Sequence, residues 1–135
     1  MTAAHFILYV ADQPKSSSFY TKVLGVDPRL EVPGMTEFVL SSGAVLGLMP
    51  EESIRRLLGS ALPDPSRARG IPRSEVYLLV DRPEEYMERA LAAGATELSR
   101  LQPRSWGHAA AYCLDPDAHV LAFASSRVEN RGERE

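Results

Sequence analysis

The sequence predicts an α+β fold made of two βαβββ modules in tandem, within a single domain that spans residues 1–135. Three observations predict it. A strand-like run is followed by a helix pattern twice along the chain, and three short strand-like pieces follow each helix pattern. The two halves also match weakly, with LYVADQP over LLVDRP and VLGV over AAGA, at an offset of about 70 residues.

The first module is expected over residues 4–50 and begins with the strand HFILYVA, which is apolar and rich in β-branched and aromatic residues. A helix follows, because Pro14 lies near its first helical position and Gly25 supplies a stop. Tight turns at Pro33-Gly34 and Ser41-Ser42-Gly43 then separate three strands. These strands are expected around residues 26–32, 35–41 and 44–49.

Residues 51–73 are expected to form a linker or flap, because only EESIRRLLG has helical character and the proline-rich remainder has no periodicity. The second module is expected over residues 74–125. It repeats the strand as EVYLLV, and it repeats the helix between Pro83 and Gly94. The charged tail at residues 126–135 has no apolar pattern and is expected to be frayed and solvent-exposed.

The composition excludes several classes of protein. A chain of 135 residues with 44% hydrophobic residues can bury a core without disulfides or a structural metal. The net charge is -3 and the arginines are dispersed, so no nucleic-acid partner is expected. No run approaches the roughly 18 apolar residues of a membrane span, and the N-terminus lacks a basic leader. The lone Cys113 is expected to be a buried thiol, and a cytoplasmic location is predicted.

Several segments resemble the vicinal oxygen chelate superfamily, which includes lactoylglutathione lyase, extradiol dioxygenases, fosfomycin-modifying enzymes and bleomycin-resistance proteins. They are SSSFYTKVLG, EVYLLVD, ALAAGA, WG and DPDAHVLAFA, and the resemblance covers residues 4–125. It implies that each module is a curled mixed sheet with a helix on its convex side, that the sheets form an open cleft, and that the protein is a homodimer. This scaffold carries many chemistries, so function must be argued residue by residue.

In metal-dependent members of this superfamily, four strands supply the ligands of a divalent ion. The resemblance places these positions at His5, Glu75, Gly47 and Ala122. The first two suit Mn, Fe, Ni or Zn, but the last two have no coordinating group. A catalytic ion needs about three protein ligands. The usual chelate site is therefore expected to be absent, no cofactor is expected, and a divalent metal at His5 and Glu75 is the alternative.

Other side chains near these positions have competing interpretations. His108, on the penultimate strand, is a possible substitute ligand, whereas His119 is interpreted first as a turn residue. Cys113 alternates with Tyr112 and cannot share its face. Glu75 opens an apolar strand, so it could pair with His5 or form an acid–base pair with it.

Strand alternation predicts which side chains line the cleft. Replacing two carboxylates by Gly47 and Ala122 is expected to remove charge and open volume, which favours an apolar or aromatic ligand. Phe38 is a further candidate wall, although core packing is the favoured interpretation for it. The predicted ligand contacts are His5, Tyr9, Met49, Glu75, Tyr77, Trp106 and Tyr112.

The turn Asp115-Pro116-Asp117 is predicted to be structural, because proline and aspartate both favour tight turns. Ala118 follows it at a position where a positive φ is commonly needed. The expected strain is about 1 kcal/mol.

These observations predict a metal-independent protein of the glyoxalase/bleomycin-resistance type that holds a small apolar or aromatic molecule in the cleft of a homodimer. The alternative is a metal-dependent lyase, isomerase or dioxygenase of the same superfamily with an atypical ligand set. A third possibility is a module whose surface binds a partner protein, but no residue pattern supports it.

Overall fold

Two mixed β-sheets, one in each half of the chain, form the framework of the protein. The computed structural model describes residues 1–126, so nearly all of the predicted charged tail lies outside the described residues. The chain divides into two units, Met1–Gly70 and a second one that begins at Ile71. Among residues 1–126, no helix is both long enough and apolar enough to cross a membrane.

The first unit contains a four-stranded sheet with the βαβββ order that the sequence predicts. The elements are β1 (Ala4–Val10), α1 (Gln13–Leu24), β2 (Leu30–Val32), β3 (Met35–Ser41) and β4 (Ala44–Pro50). Strand β4 pairs in parallel with β1 and antiparallel with β3, so the sheet order is β1-β4-β3-β2.

Local signals fix the ends of α1. The side chain of Asp12 accepts a hydrogen bond from the backbone N–H of Lys15, and Gly25 adopts a left-handed φ of 71° at the C-terminal end. The buried face of the helix covers one face of the sheet. Phe38 lies on that face, fully buried, with its ring centroid 6.4 Å from that of Tyr20. Phe38 is therefore a core residue, which is the favoured interpretation of its sequence position, and not a cleft wall.

The segment after β4 carries secondary structure and internal ion pairs. It forms α2 (Glu51–Leu58) and two short 3-10 turns at Gly59–Ala61 and Pro65–Ala68. Glu51 is buried, and its Oε1 accepts hydrogen bonds from Nε and Nη2 of Arg69, at 3.1 and 2.5 Å. Because a buried carboxylate needs a partner, this pair holds the end of the segment beside the start of α2.

The second unit repeats the topology of the first. Its elements are β5 (Glu75–Leu79), α3 (Pro83–Ala92), β6 (Thr96–Pro103), β7 (Ala109–Leu114) and β8 (Val120–Ser125). The sheet order is β5-β8-β7-β6, and β5 again pairs in parallel with β8, the last strand of the unit. Tyr86 of α3 packs on Phe123 of β8 at 5.6 Å between ring centroids, which places the helix on one face of the sheet. The tandem βαβββ prediction is confirmed.

The turn between β7 and β8 has the structural role that the sequence predicts. Oδ1 of Asp115 accepts hydrogen bonds from the backbone N–H groups of Asp117 and His119, both at 2.9 Å. Ala118 has a φ of 66° and is the only non-glycine residue among residues 1–126 with a positive φ. Nδ1 of His119 lies 3.1 Å from the hydroxyl of Ser74, in keeping with a turn residue.

Candidate ligand-binding site

The face of the first sheet opposite α1 carries the side chains that alternation assigns to it. His5, Ile7 and Tyr9 of β1 are register partners of Val45, Gly47 and Met49 of β4. Partners in a parallel pair project from the same face. Tyr9 and Met49, both predicted ligand contacts, are therefore neighbours on this face, and both are partly buried.

Gly47 does not leave an open volume on this face. A Cβ added to Gly47 would lie 3.1 Å from Cγ1 of Ile7 and 3.2 Å from Sδ of Met35. These two side chains already occupy the space where a longer side chain would project. The expectation that the missing carboxylate opens volume is wrong at this position, because neighbouring apolar side chains fill the gap.

Glu37 is a charged residue of this face that the sequence reasoning missed. It is the register partner of Gly47 on β3. Its Oε2 lies 3.5 Å from Nδ1 of His5, and its Oε1 accepts a hydrogen bond from Nε of Arg29 at 3.0 Å. The alternation of MTEFVLS places Glu37 on the face opposite Phe38, which was the available signal.

The residues of the first sheet do not fit the metal site of metal-dependent relatives. His5 and Glu37 supply two donor groups, but the guanidinium of Arg29 already neutralises Glu37 and would oppose a nearby cation. Within each unit, the described residues include no group of three or more His, Cys, Asp or Glu side chains placed to hold a metal. Glu75 is exposed and forms no ion pair with a described residue of the second unit.

The open face of the second sheet is aromatic. Tyr77 of β5 and Tyr112 of β7 are both register partners of Ala122 on β8, one on each side. Ala122 is fully buried, whereas Tyr77 and Tyr112 are partly exposed. Position 122, where the resemblance to metal-dependent relatives places a ligand, thus carries only a methyl group between two phenol rings.

A hydrogen-bonded chain crosses this face. The indole N–H of Trp106 donates to Oη of Tyr77 at 2.9 Å, and the same oxygen lies 2.7 Å from Nδ1 of His108. Trp106 and His108 belong to the loop between β6 and β7, where Gly107 adopts a φ of 95°. Trp106 is 54% exposed although its N–H is paired. Its ring is held in place without being buried in a core.

Arg104 and Tyr112 complete this aromatic face. The guanidinium of Arg104 lies 5.1 Å from the centre of the Tyr112 ring and donates hydrogen bonds to Ser99 and to the carbonyl oxygen of Ala110, both at 2.8 Å. Burial raises the pKa of Tyr112, and Glu75 and Tyr77 raise it further against the opposing charge of Arg104. The phenol of Tyr112 therefore stays protonated at neutral pH.

The structure thus distributes the predicted contacts over two faces. Tyr77, Trp106 and Tyr112 share the second face with Glu75, and His5, Tyr9 and Met49 share the first. His108 was considered only as a substitute metal ligand, and its phenol partner was not foreseen. Cys113 is fully buried and turned away from this face, as predicted.

The repeated βαβββ topology with an uncovered sheet face in each unit defines the glyoxalase-like class of α+β proteins. The chain belongs to the Glyoxalase/Bleomycin resistance protein/Dioxygenase superfamily, whose family model matches residues 2–123. The predicted resemblance is therefore confirmed. A comparison with curated proteins gives no match.

Solved structures of the same fold cover most of the chain. A glyoxalase-related enzyme from Fulvimarina pelagi is 24% identical, with a TM-score of 0.75 over 93% of this chain and 88% of that one. A glyoxalase/bleomycin resistance protein/dioxygenase family enzyme from Burkholderia phytofirmans PsJN is 19% identical, with a TM-score of 0.76 over 90% and 96%. Lactoylglutathione lyase from Agrobacterium tumefaciens is 17% identical, with a TM-score of 0.68 over 92% of each chain. At these identities the similarity establishes the fold alone.

Proposed function

We propose that this protein is a metal-independent small-molecule-binding protein that holds an apolar or aromatic ligand and acts as a homodimer. The observation that carries the proposal is the aromatic face of the second sheet. Trp106 is exposed yet fixed by its hydrogen bond to Tyr77, and Ala122 lies between two phenol rings. Exposed aromatic rings that are held in one orientation bind flat ligands with little loss of side-chain entropy.

The donor groups of the first sheet support the metal-independent part of the proposal. Glu37 is already paired with Arg29, and the space above Gly47 is filled by Ile7 and Met35. A third protein ligand is therefore lacking on this face, and an ion bound by His5 and Glu37 would be held largely by water.

The test of metal independence is the metal content of protein purified without a chelator, followed by thermal-shift titrations with Mn²⁺, Ni²⁺, Zn²⁺ and Fe²⁺. The proposal predicts less than a tenth of an equivalent of bound metal and no saturable stabilisation. A near-stoichiometric ion that is lost in His5→Ala would overturn it. Ser18→Ala, at an exposed position of α1, is the matched control.

A thermal-shift screen of neutral aromatic compounds tests ligand binding. A ligand at 100 times its Kd stabilises the folded state by about 2.7 kcal/mol, which is readily measured. Stabilisation that is lost in Trp106→Ala but kept in Leu98→Ala supports the proposed site, because Leu98 is comparably exposed on β6. Light scattering at micromolar concentration tests the homodimer, and a clean monomer mass would contradict it.

The second candidate is a metal-dependent lyase, isomerase or dioxygenase with an atypical ligand set. The proximity of His5 and Glu37, 3.5 Å apart, is the observation in its favour. It requires Arg29 to release Glu37 when the ion binds. Arg29→Ala would then increase metal affinity, whereas the binding-protein proposal predicts no metal binding in either form.

A further inference from the structure

The chain of hydrogen bonds on the second sheet has a fixed direction. An indole nitrogen can only donate, so Oη of Tyr77 accepts from Trp106. The one phenol proton then has a single hydrogen-bonding neighbour among the described residues, Nδ1 of His108 at 2.7 Å. If Nδ1 carried a proton, the phenol proton would have no acceptor within residues 1–126. The direction that pairs the indole N–H, the phenol proton and Nδ1 runs from Trp106 to Tyr77 to His108.

This direction determines the tautomer of His108. Since Nδ1 accepts, the neutral ring carries its proton on Nε2. Nε2 has no hydrogen-bond partner among residues 1–126, although the ring is partly buried. An unpaired, partly buried donor is unfavourable unless a ligand or water accepts from it.

The charges on this face bear on the kind of acceptor. Nε and Nη2 of the Arg104 guanidinium donate to Ser99 and to the backbone carbonyl oxygens of Arg100 and Ala110, and the group keeps its positive charge. The carboxylate of Glu75 is close enough to raise the pKa of Tyr112. Arg104 acts on the same phenol in the opposite direction, so the two charges offset each other, and this favours a neutral acceptor over an ion.

Resting on the proposed function, we infer that the ligand is a neutral planar aromatic compound with a carbonyl-type oxygen, which accepts a hydrogen bond from Nε2–H of His108 while its ring packs on Trp106. Tyr77 is the positioning residue, because it fixes both the indole and the imidazole. His108 is the residue that determines specificity.

The first test measures the hydrogen-bonded chain directly. The protein has one tryptophan, so its indole N–H gives a single ¹⁵N–¹H cross-peak. His108, assigned with His108→Gln, is expected to show the nitrogen shifts of a neutral ring protonated on Nε2. Tyr77→Phe should move the indole cross-peak and abolish the tautomer preference. Tyr86→Phe, on the helix side of the same sheet, should change neither. A proton on Nδ1 in the native protein would overturn the inference.

The second test uses 2-acetylnaphthalene, the carbonyl-free isostere 2-isopropylnaphthalene and the anion 2-naphthoate, titrated against the indole cross-peak. One hydrogen bond predicts about tenfold tighter binding of the acetyl compound than of its isostere. This preference should disappear in His108→Phe, and 2-naphthoate should bind more weakly than the ketone. Equal affinity for the two neutral probes would overturn the inference and leave the proposed function standing. No binding by any probe would overturn both.

Discussion

Tyr77 and His108 meet across an intervening strand, with 2.7 Å between Oη and Nδ1. Tyr77 lies on β5 and His108 directly precedes β7, and these two strands flank β8 in the sheet. Strands two apart in a sheet are separated by about 9–10 Å. Ala122 and Ala124 are the β8 residues on this face that lie between the two strands at this point, and their methyl groups leave room for the contact. The hydrogen bond between Tyr77 and His108 thus requires small side chains on β8.

Ala122→Glu is expected to destabilise the protein and not to restore a metal site. The new carboxylate would be buried between two phenol rings without a partner, which costs about 3–5 kcal/mol. Urea denaturation monitored by the fluorescence of Trp106 measures the change. Ala61→Glu, at an exposed position of the first unit, is the control and should change the unfolding free energy by less than about 0.5 kcal/mol. A variant of native stability with an unmoved indole cross-peak would contradict the assigned packing.

Two adjacent serines of α1 should respond in opposite directions to truncation. Both are buried, but the hydroxyl of Ser17 donates to Oε2 of Glu31, whereas Oγ of Ser16 has no hydrogen-bond partner within residues 1–126. Ser16→Ala removes an unsatisfied polar atom and adds helix propensity, so it should stabilise by about 1 kcal/mol. Ser17→Ala loses a hydrogen bond to a carboxylate and should destabilise by about 1 kcal/mol.

Chemical denaturation of the two serine variants under identical conditions measures these differences. The contrast between them is more informative than either value, because both changes share the same helix and the same gain in propensity. Destabilisation by Ser16→Ala as large as that by Ser17→Ala would mean that Oγ of Ser16 has a partner in solution.

Ala118→Gly should stabilise the protein. A left-handed φ costs a residue with a Cβ about 1–2 kcal/mol, while the greater freedom of glycine in the unfolded chain costs about 0.4–1 kcal/mol. The strain term is larger, so a net gain of about 0.5–1 kcal/mol is expected from its φ of 66°. Ala92→Gly, exposed in the last turn of α3, is the control and should be destabilising. Equal losses in both variants would argue against a strained turn.

Cys113 is expected to be inert in the folded protein and to destabilise the fold in alkali. Burial, assisted by the nearby charge of Asp115, raises the pKa of its thiol to about 12. At pH 8 the reactive thiolate is then only about one ten-thousandth of the folded population. A thiol reagent should modify Cys113 only when denaturant is added, and labelling at the same rate with and without denaturant would refute this prediction.

The raised pKa of Cys113 also fixes the sign of a pH effect. The folded state keeps the thiol proton up to about pH 12, whereas the unfolded state loses it near its ordinary pKa of 9.0. The unfolded state is therefore favoured progressively as the pH rises above 9, and the contribution is fully retained below that pH. Unfolding free energies measured from pH 8 to 11 should fall more steeply for the native protein than for Cys113→Ala.

The strand and helix pattern was predictable because its causes are local. Alternating apolar residues, Pro14 with Asp12 at the start of α1 and Gly25 at its end depend on neighbours within a few residues. The positive φ of Ala118 was predictable for the same reason, since the Asp115 turn imposes it.

The contacts within the candidate site were less predictable, because they join side chains across a strand. Alternation put Tyr77 and Tyr112 on one face, but it could not reveal that the loop after β6 brings Trp106 and His108 onto the phenol of Tyr77. The role of Glu37 required the register of β3 against β4, which the sequence does not specify. Phe38 was offered as a wall because its place in a strand left its face undecided until that register was known.

The two sheets share one topology but differ in the chemistry of their cross-strand contacts. In the first, the contact joins the carboxylate of Glu37 to the imidazole of His5. In the second, it joins the phenol of Tyr77 to the imidazole of His108. If the halves descend from one duplicated module, the two copies have diverged in the side chains that meet across the central strand. Exchanging one half for the other would preserve the strand order of both sheets and lose either the carboxylate–imidazole contact or the phenol–imidazole contact.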